Sequence, residues 1–351
     1  MINLNTQFAR EIQSRFAAES VVANRLSQEY DFKGAKTVRV LTPITAPMND
    51  YTPDGANRYG TPVEMQDMYQ ELTLTRDRGF AFTIDKSNLD DGMFLKNAGR
   101  MLGLQLRERA IPEMDRYILK KLANGGGSIV ADGAMTAKNI CAMISAAVTA
   151  LDDAEVPNND RTLFISSAGY ACLKHSDEFM AVESIARDAL RRGVVGRYDN
   201  MDVVKVPAAR WPKHVNFMAV SKYSAVAPAK ISDTQIHTNP PGISGALIEG
   251  RQYYDCFVYG VKCEGIYVSV NTSDGSGKIT ATPTISAGGA ISCADAGAVI
   301  KYTTDGSDPR YSSTAKSGTQ SDETAAGTVV RAYAYCDEEG VYPSSVAEMT
   351  L

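Results

Sequence analysis

Asp305 and Asp308, three residues apart in YTTDGSDPRYSSTAKSG (302–318), look most like a reactive pair in this chain. Cleaving a glycosidic bond takes two carboxyl groups held about 5 to 9.5 Å apart across a sugar. Asp305-Gly306-Ser307-Asp308-Pro309 instead spells a turn, which Asp and Gly close while Pro309 stiffens the exit. A calcium loop needs further oxygen ligands at fixed offsets, and DGSD supplies no full set. DDAE at 152–155 and DEE at 337–339 read as solvated turns.

Other chemistry finds little support. The three histidines, His175, His214 and His237, are scattered, and the six cysteines contain no CxxC pair, so a zinc site is not expected. Buried free thiols fit better. Cys293 and Cys336 could face each other across a small sandwich, but a reducing compartment disfavours a disulfide. No GxSxG, HExxH or GxxxxGK[ST] is present, and GGGS at 125–128 lacks the lysine and reads as a helix stop. The single tryptophan, Trp211, stands beside Pro212, a setting for loop or core packing rather than a sugar platform. The expectation is no enzyme, no cofactor and no metal.

The 351 residues allow two or three domains, and 44% hydrophobic with 22% charged residues is an ordinary globular balance. No run is long and apolar enough to span a bilayer, and MINLNTQFAREIQSRF carries charges where a signal peptide needs an apolar core. Assembly in a cytoplasm, away from membranes, is the expectation. Of the net charge of −5, all sits after residue 271, where five Lys or Arg face ten Asp or Glu.

The elements that would position such residues fall into a body and a tail. Asn5 to Ser27 has Phe8, Ile12 and Phe16 at helical spacing. KTVRVLTPI reads as a strand and ELTLTRDRGFAFTID as one or two more, in strict alternation, around the Pro-, Gly- and Asn-rich MNDYTPDGANRYGTPV, which predicts a long hairpin with an irregular tip. It is too polar to pack on its own body and is expected to find its partner on another subunit. Asn88 to Ala123 has apolar residues at three- and four-residue intervals, with Pro112 expected to bend or interrupt the helix. From Gly92 to Asn124 it carries Lys96, Arg100, Arg107, Arg109, Arg116, Lys120 and Lys121 against three acidic residues, a basic rod in a neutral body. A helix over 136–156 capped by Thr136, a strand at 160–167 and the segments DVVKVP, NFMAVSK and YYDCFVYGVKCEGIYVSVN complete an α+β body. NTSDGSGK (271–278) reads as a linker, and PTISA, AVIKYTT, TVVRAYAY and SSVAEMTL as strands of a small sandwich.

That order, with VPNNDRTLFISSAGYACL (156–173) and GVVGRYDNMDVVKVPAARWP (193–212), resembles the HK97-type fold of tailed-phage major capsid proteins over residues 1 to about 271. The resemblance implies an N-arm (1–36), an E-loop (37–86), a spine helix (88–124) and peripheral and axial domains (136–271). A linker (272–278) then leads to an Ig-like domain (279–351). The 302–318 stretch is similar to the chitobiase C-terminal module often appended to secreted glycan-degrading enzymes. Implied partners are further copies of the chain in hexamers and pentamers, a separate scaffolding protein, a portal, and packaged double-stranded DNA bound without sequence readout.

The basic helix would face that DNA or a neighbouring subunit, and the acidic tail domain would face outward, with weak glycan binding or capsomer reinforcement as its role. An arm that begins almost at Met1 implies no N-terminal cleavage. A tip without lysine between Leu41 and Phe82, although Lys33, Lys36 and Lys86 flank it, disfavours isopeptide crosslinking. The alternatives are an encapsulin-like nanocompartment shell and a secreted glycan-binding protein.

Overall fold

The computed structural model describes residues 20–28, 37–43, 48, 50, 51, 53, 58, 59, 67–85, 94–176, 194–238, 240–273, 275 and 277–351. Of the arm helix expected over Asn5–Ser27, residues 5–19 lie outside the described residues, as do most of the hairpin tip and Lys33, Lys36 and Lys86; residues 20–27 form no α-helix but a 3-10 turn at Ala23–Arg25.

The strand pattern of 37–86 divides in two. β1 (Thr37–Pro43) and β2 (Asp67–Thr73) form the hairpin, in antiparallel register from Thr37↔Thr73 to Pro43↔Asp67. Past Thr75 the chain leaves it as β3 (Arg76–Asp85) and enters a different sheet. Burial and hydrogen bonding fix the break. Leu72 and Leu74 lie on one face and are buried against Val226 and Tyr259. The Tyr253 hydroxyl donates to Leu74 O (2.8 Å), and the buried Asp255 carboxylate accepts both the Thr75 amide and hydroxyl (2.8 Å each). Asp255 also accepts from the Tyr117 hydroxyl (2.7 Å) and the Cys256 amide (2.8 Å).

The long helix runs from α1 (Phe94–Gln105) through a wide π-turn (Leu106–Ala110) into α2 (Ile111–Asn124). As expected, the α geometry is interrupted next to Pro112, by the π-turn, and resumes with the proline in the first turn of α2. Ile111 N donates to Leu106 O, five residues back, and this widened turn makes room where a proline ring would crowd the preceding carbonyls. The end of the N-terminal arm packs on α2. Val22 and Leu26 enter the main core, and Ser20 Oγ (2.6 Å) and Arg210 Nη1 (2.9 Å) both donate to Asp115, which is 0% exposed. Burial pushes the Asp115 carboxyl above its ordinary value despite those partners.

The body is a mixed sheet with helices on both faces. Its strands are β4 (Ser128–Asp132), β5 (Arg161–Ser166), β6 (Val194–Tyr198), β7 (Met201–Val206), β8 (Val215–Ser221) and β13 (Ile266–Asn271). Their order is β4-β13-β8-β5-β7-β6, with the β13–β4 and β5–β7 pairs parallel. Side chains alternate between faces. Phe164, Met218, Val220, Val204 and Val268 pack under the long helix. Leu163, Ile165, Phe217, Ala219 and Val203 pack under α3 (Ile140–Asp153) and α4 (Ser167–Lys174). The expected Thr136 cap is replaced: Thr136 N and Oγ1 donate to Asn139 Oδ1 (2.7 and 2.9 Å), and the helix starts at Ile140.

Between β8 and β13, β9 (Ala225–Val226) pairs with β12 (Phe257–Val258). There too, β10 (Ala229–Thr238) and β11 (Gly245–Tyr254) join β3 in a three-stranded sheet.

The tail is all-β with its own core. β14 (Lys278–Ile279) pairs with β20 (Val341–Tyr342), and β15 (Thr284–Ile285) with β16 (Ile291–Ser292). β17 (Val299–Thr303), β18 (Lys316–Ser317), β19 (Val329–Tyr335) and β21 (Ala347–Thr350) form a four-stranded sheet in the order β18-β17-β19-β21. Ile291, Ile300, Tyr302, Val330, Ala332 and Ala334 fill the core. The stretch whose composition suggests a loose tether is held to the body: the Thr272 amide and hydroxyl donate to Asp132 O (2.9 and 3.2 Å).

Replacing Asp255 with Ala strands four buried or half-buried donors. The expected cost is about 3 kcal/mol or more, read as a lowered urea midpoint, with Asp255→Asn losing less.

Candidate functional site

The exposed basic row and the 305–311 turn meet at the end of the long helix. Among the described residues no group of His, Cys, Asp or Glu could hold a metal ion. All six cysteines are free, and Cys293 Sγ donates to Ala281 O (3.2 Å).

Each residue of the turn has a structural task. Asp305 accepts from Ser307 N (3.0 Å) and Thr314 Oγ1 (2.7 Å), Gly306 adopts φ +74°, and Gly306 O accepts from Arg331 Nη1 (2.6 Å). Burial raises the Asp305 carboxyl, but these hydrogen bonds outweigh it and hold it below its ordinary value. Asp308 grips Arg310 through its amide (2.9 Å), Nε (3.1 Å) and Nη2 (2.7 Å). Pro309 is buried between them.

Arg310, the residue after the expected turn, is what the turn presents. Its side chain is 12% exposed and lies against the body. Nη1 donates to Gly126 O (3.0 Å), Nη2 points at Cys263 Sγ (3.5 Å), and the neighbouring Tyr311 hydroxyl donates to Gly125 O (2.5 Å). The carbonyls just past a helix end lack intrahelical donors and carry the negative end of the helix dipole, so a cation and a hydroxyl satisfy them. Burial alone works against the Arg310 charge; Asp308 outweighs it and holds the guanidinium charged. Burial also pushes the Tyr311 hydroxyl and the Cys263 thiol up, keeping both neutral.

The glycine run belongs to this contact. Gly125 ends the helix at φ −103°, so no left-handed cap is made. The need is for close approach: a Cβ on Gly127 would stand 2.6 Å from the Cys263 backbone. Tyr342 reinforces the docking. It is buried in the body's main core, and its hydroxyl donates to Lys213 O (2.5 Å).

The basic residues separate into two groups. Arg100, Arg107 and Arg109 are exposed on the first part of the helix; the Lys96 side chain lies outside the described residues. Arg116, Lys120 and Lys121 instead line a cleft of about 810 Å³ between body and tail, with Asp337, Glu338 and Glu339 across it. Arg116 donates twice to Ala209 O (3.1 and 2.8 Å), and Lys121 stands 5.6 Å from the Tyr117 ring centre. Lys213 pairs with Glu339 (2.9 Å), and Lys213, Lys120 and Arg116 together hold the Glu339 carboxyl below its ordinary value.

The two motif stretches also resolve into packing devices. Arg161 is 2% exposed; it donates to Pro157 O (3.0 Å) and Val156 O and pairs with Asp152 (2.7 Å), capping the α3 end. In 193–212, Asp199 and Asn200 at φ +46° and +62° close the β6–β7 hairpin. Trp211 packs on the main core and donates to Val215 O (2.7 Å).

Two variants test the turn. Gly127→Ala should cost about 2 kcal/mol or more in thermal or urea unfolding. Asp305 contributes stability above the ordinary carboxylate value of 3.8, which is lost as pH falls through its lowered native value. Asp305→Asn should therefore flatten the acid limb of a melting profile below about pH 5.

No protein-family model and no curated protein sequence matches the chain. Solved structures do. One from Mycobacterium phage Che8 is 18% identical with a TM-score of 0.55, over 70% of this chain and 89% of its own. The mature capsid of bacteriophage PhiM1 is 12% identical with a TM-score of 0.51, over 68% of this chain and 82% of its own. The capsid of cyanophage P-SCSP1u is 12% identical with a TM-score of 0.52, over 68% and 84%. The chain thus has the mixed α/β fold seen in these phage capsids.

Proposed function

We propose that this chain is the major capsid protein of a tailed bacteriophage, with the HK97-type fold, and that it self-assembles into an icosahedral head around double-stranded DNA. The likeness to solved phage capsids carries this reading. The β1–β2 hairpin supports it. The hairpin is anchored on its own body at its base, through Leu72 and Leu74, and its Met48, Tyr51 and Tyr59 side chains are exposed. An extended element of this kind suits contact with a second copy. Scaffolding and portal proteins would be the assembly partners.

In this reading residues 279–351 form an Ig-like domain on the outer face of the shell. Its acidic surface favours that side, since packaged DNA would repel it. The shared cleft then has a consequence for the basic row: Arg116, Lys120 and Lys121 open to the same side as the tail and are balanced there by Asp337–Glu339. The residues of the row outside that cleft are Lys96, Arg100, Arg107 and Arg109, the part of it that would face DNA or a neighbouring subunit.

Negative-stain microscopy of the expressed protein tests the assembly, with icosahedral shells or capsomers expected and a monodisperse monomer overturning it. Particles that exclude nucleic acid and enclose an enzyme would favour a nanocompartment shell instead. Tail density on the inner wall of a reconstructed particle would sink the outward placement.

A further inference from the structure

The docked turn touches a segment that in turn holds the hairpin. Residues 258–263 cross between the two. On one side Tyr311 packs against Gly260, its Cβ 3.0 Å from where a Cβ on that glycine would stand, while Arg310 reaches Cys263 Sγ. On the other side the Gln70 amide, on β2, spans the same backbone. Its Nε2 donates to Val258 O (2.9 Å) and its Oε1 accepts from Gly260 N (3.0 Å). Gln70, Gly260, Cys263, Asp308, Arg310 and Tyr311 line one continuous pocket of about 310 Å³. The segment is also tied to the end of the long helix, where Gly127 N donates to Cys263 O (2.8 Å).

We propose that the tail sets the position of the β1–β2 hairpin within its own chain, with Arg310 and Tyr311 fixing residues 258–263 and these fixing Gln70. Gln70 is a positioning residue, the point where the docking of the tail is felt by the hairpin. The coupling is intramolecular and does not rest on the shell reading. It goes beyond that reading by giving the tail a task other than decoration.

Hydrogen exchange on the full chain, read by mass spectrometry before any assembly, tests this. Tyr311→Ala should speed exchange of the β2 amides by about three- to tenfold, the scale of one net hydrogen bond, with β5 and β8 unchanged. Gln70→Leu should speed β2 to a similar extent while leaving 305–311 protected. Should Tyr311→Ala fail to fold, Tyr311→Phe removes only the hydroxyl, with its bond to Gly125 O and its contact with the Cys263 thiol. Combined with Gln70→Leu it should then add less at β2 than the two single effects together. Faster exchange in 305–311 with β2 at its wild-type rate, or full additivity in the double variant, would overturn the proposal.

Discussion

The carbonyl oxygens at the end of the long helix need donors, and much of the architecture follows from how they get them. A helix leaves its last carbonyls without internal partners, and here the chain beyond Asn124 runs directly into the body beside Cys263. Glycines allow that approach, and Arg310 and Tyr311 supply the hydrogen bonds from nearly two hundred residues away. The turn that presents Arg310, the aspartate that grips it and the tyrosine beside it are parts of one device.

The same economy recurs elsewhere in the body. Arg161 serves the end of α3 as Arg310 serves the end of α2. Asp255 gathers the junction of hairpin, sheet and long helix onto one carboxylate, and Asp115 gathers arm, helix and the 208–210 turn onto another. A buried charge is tolerated where several donors converge on it, and each such point fixes the relative placement of elements distant in sequence. Apolar packing between sheet and helices holds the layers together, while these polar junctions determine their registration.

Much of the fold is legible in the sequence. The apolar runs of β5, β7 and β8, buried on both faces of the sheet, and the one-sided helical spacing of α3 and of the long helix identify the layers of the body. What stays hidden depends on contacts between distant residues. The break between β2 and β3 interrupts no local pattern; it depends on Asp255, 180 positions away from Thr75. Pro112 signals an interruption, but the form it takes, a π-turn, leaves no local signature. In the candidate site, Asp305 and Asp308 are recognisable as turn residues, yet Arg310 next to them looks like any exposed cation after a proline. The basic row likewise reads as one continuous face, and only the folded chain divides it at Arg116.

The placement of Tyr342 has a consequence for how such proteins are assembled in evolution. The tail has a core of its own and the look of a cassette that could be appended to any body. Its Tyr342 ring nevertheless completes the body's main core. A recipient that acquired the tail by gene fusion would also need a vacancy for that ring, open carbonyls at a helix end and a glycine where Tyr311 lands. Body and tail are therefore complementary surfaces, and exchanging the tail alone would carry over the turn without its seat.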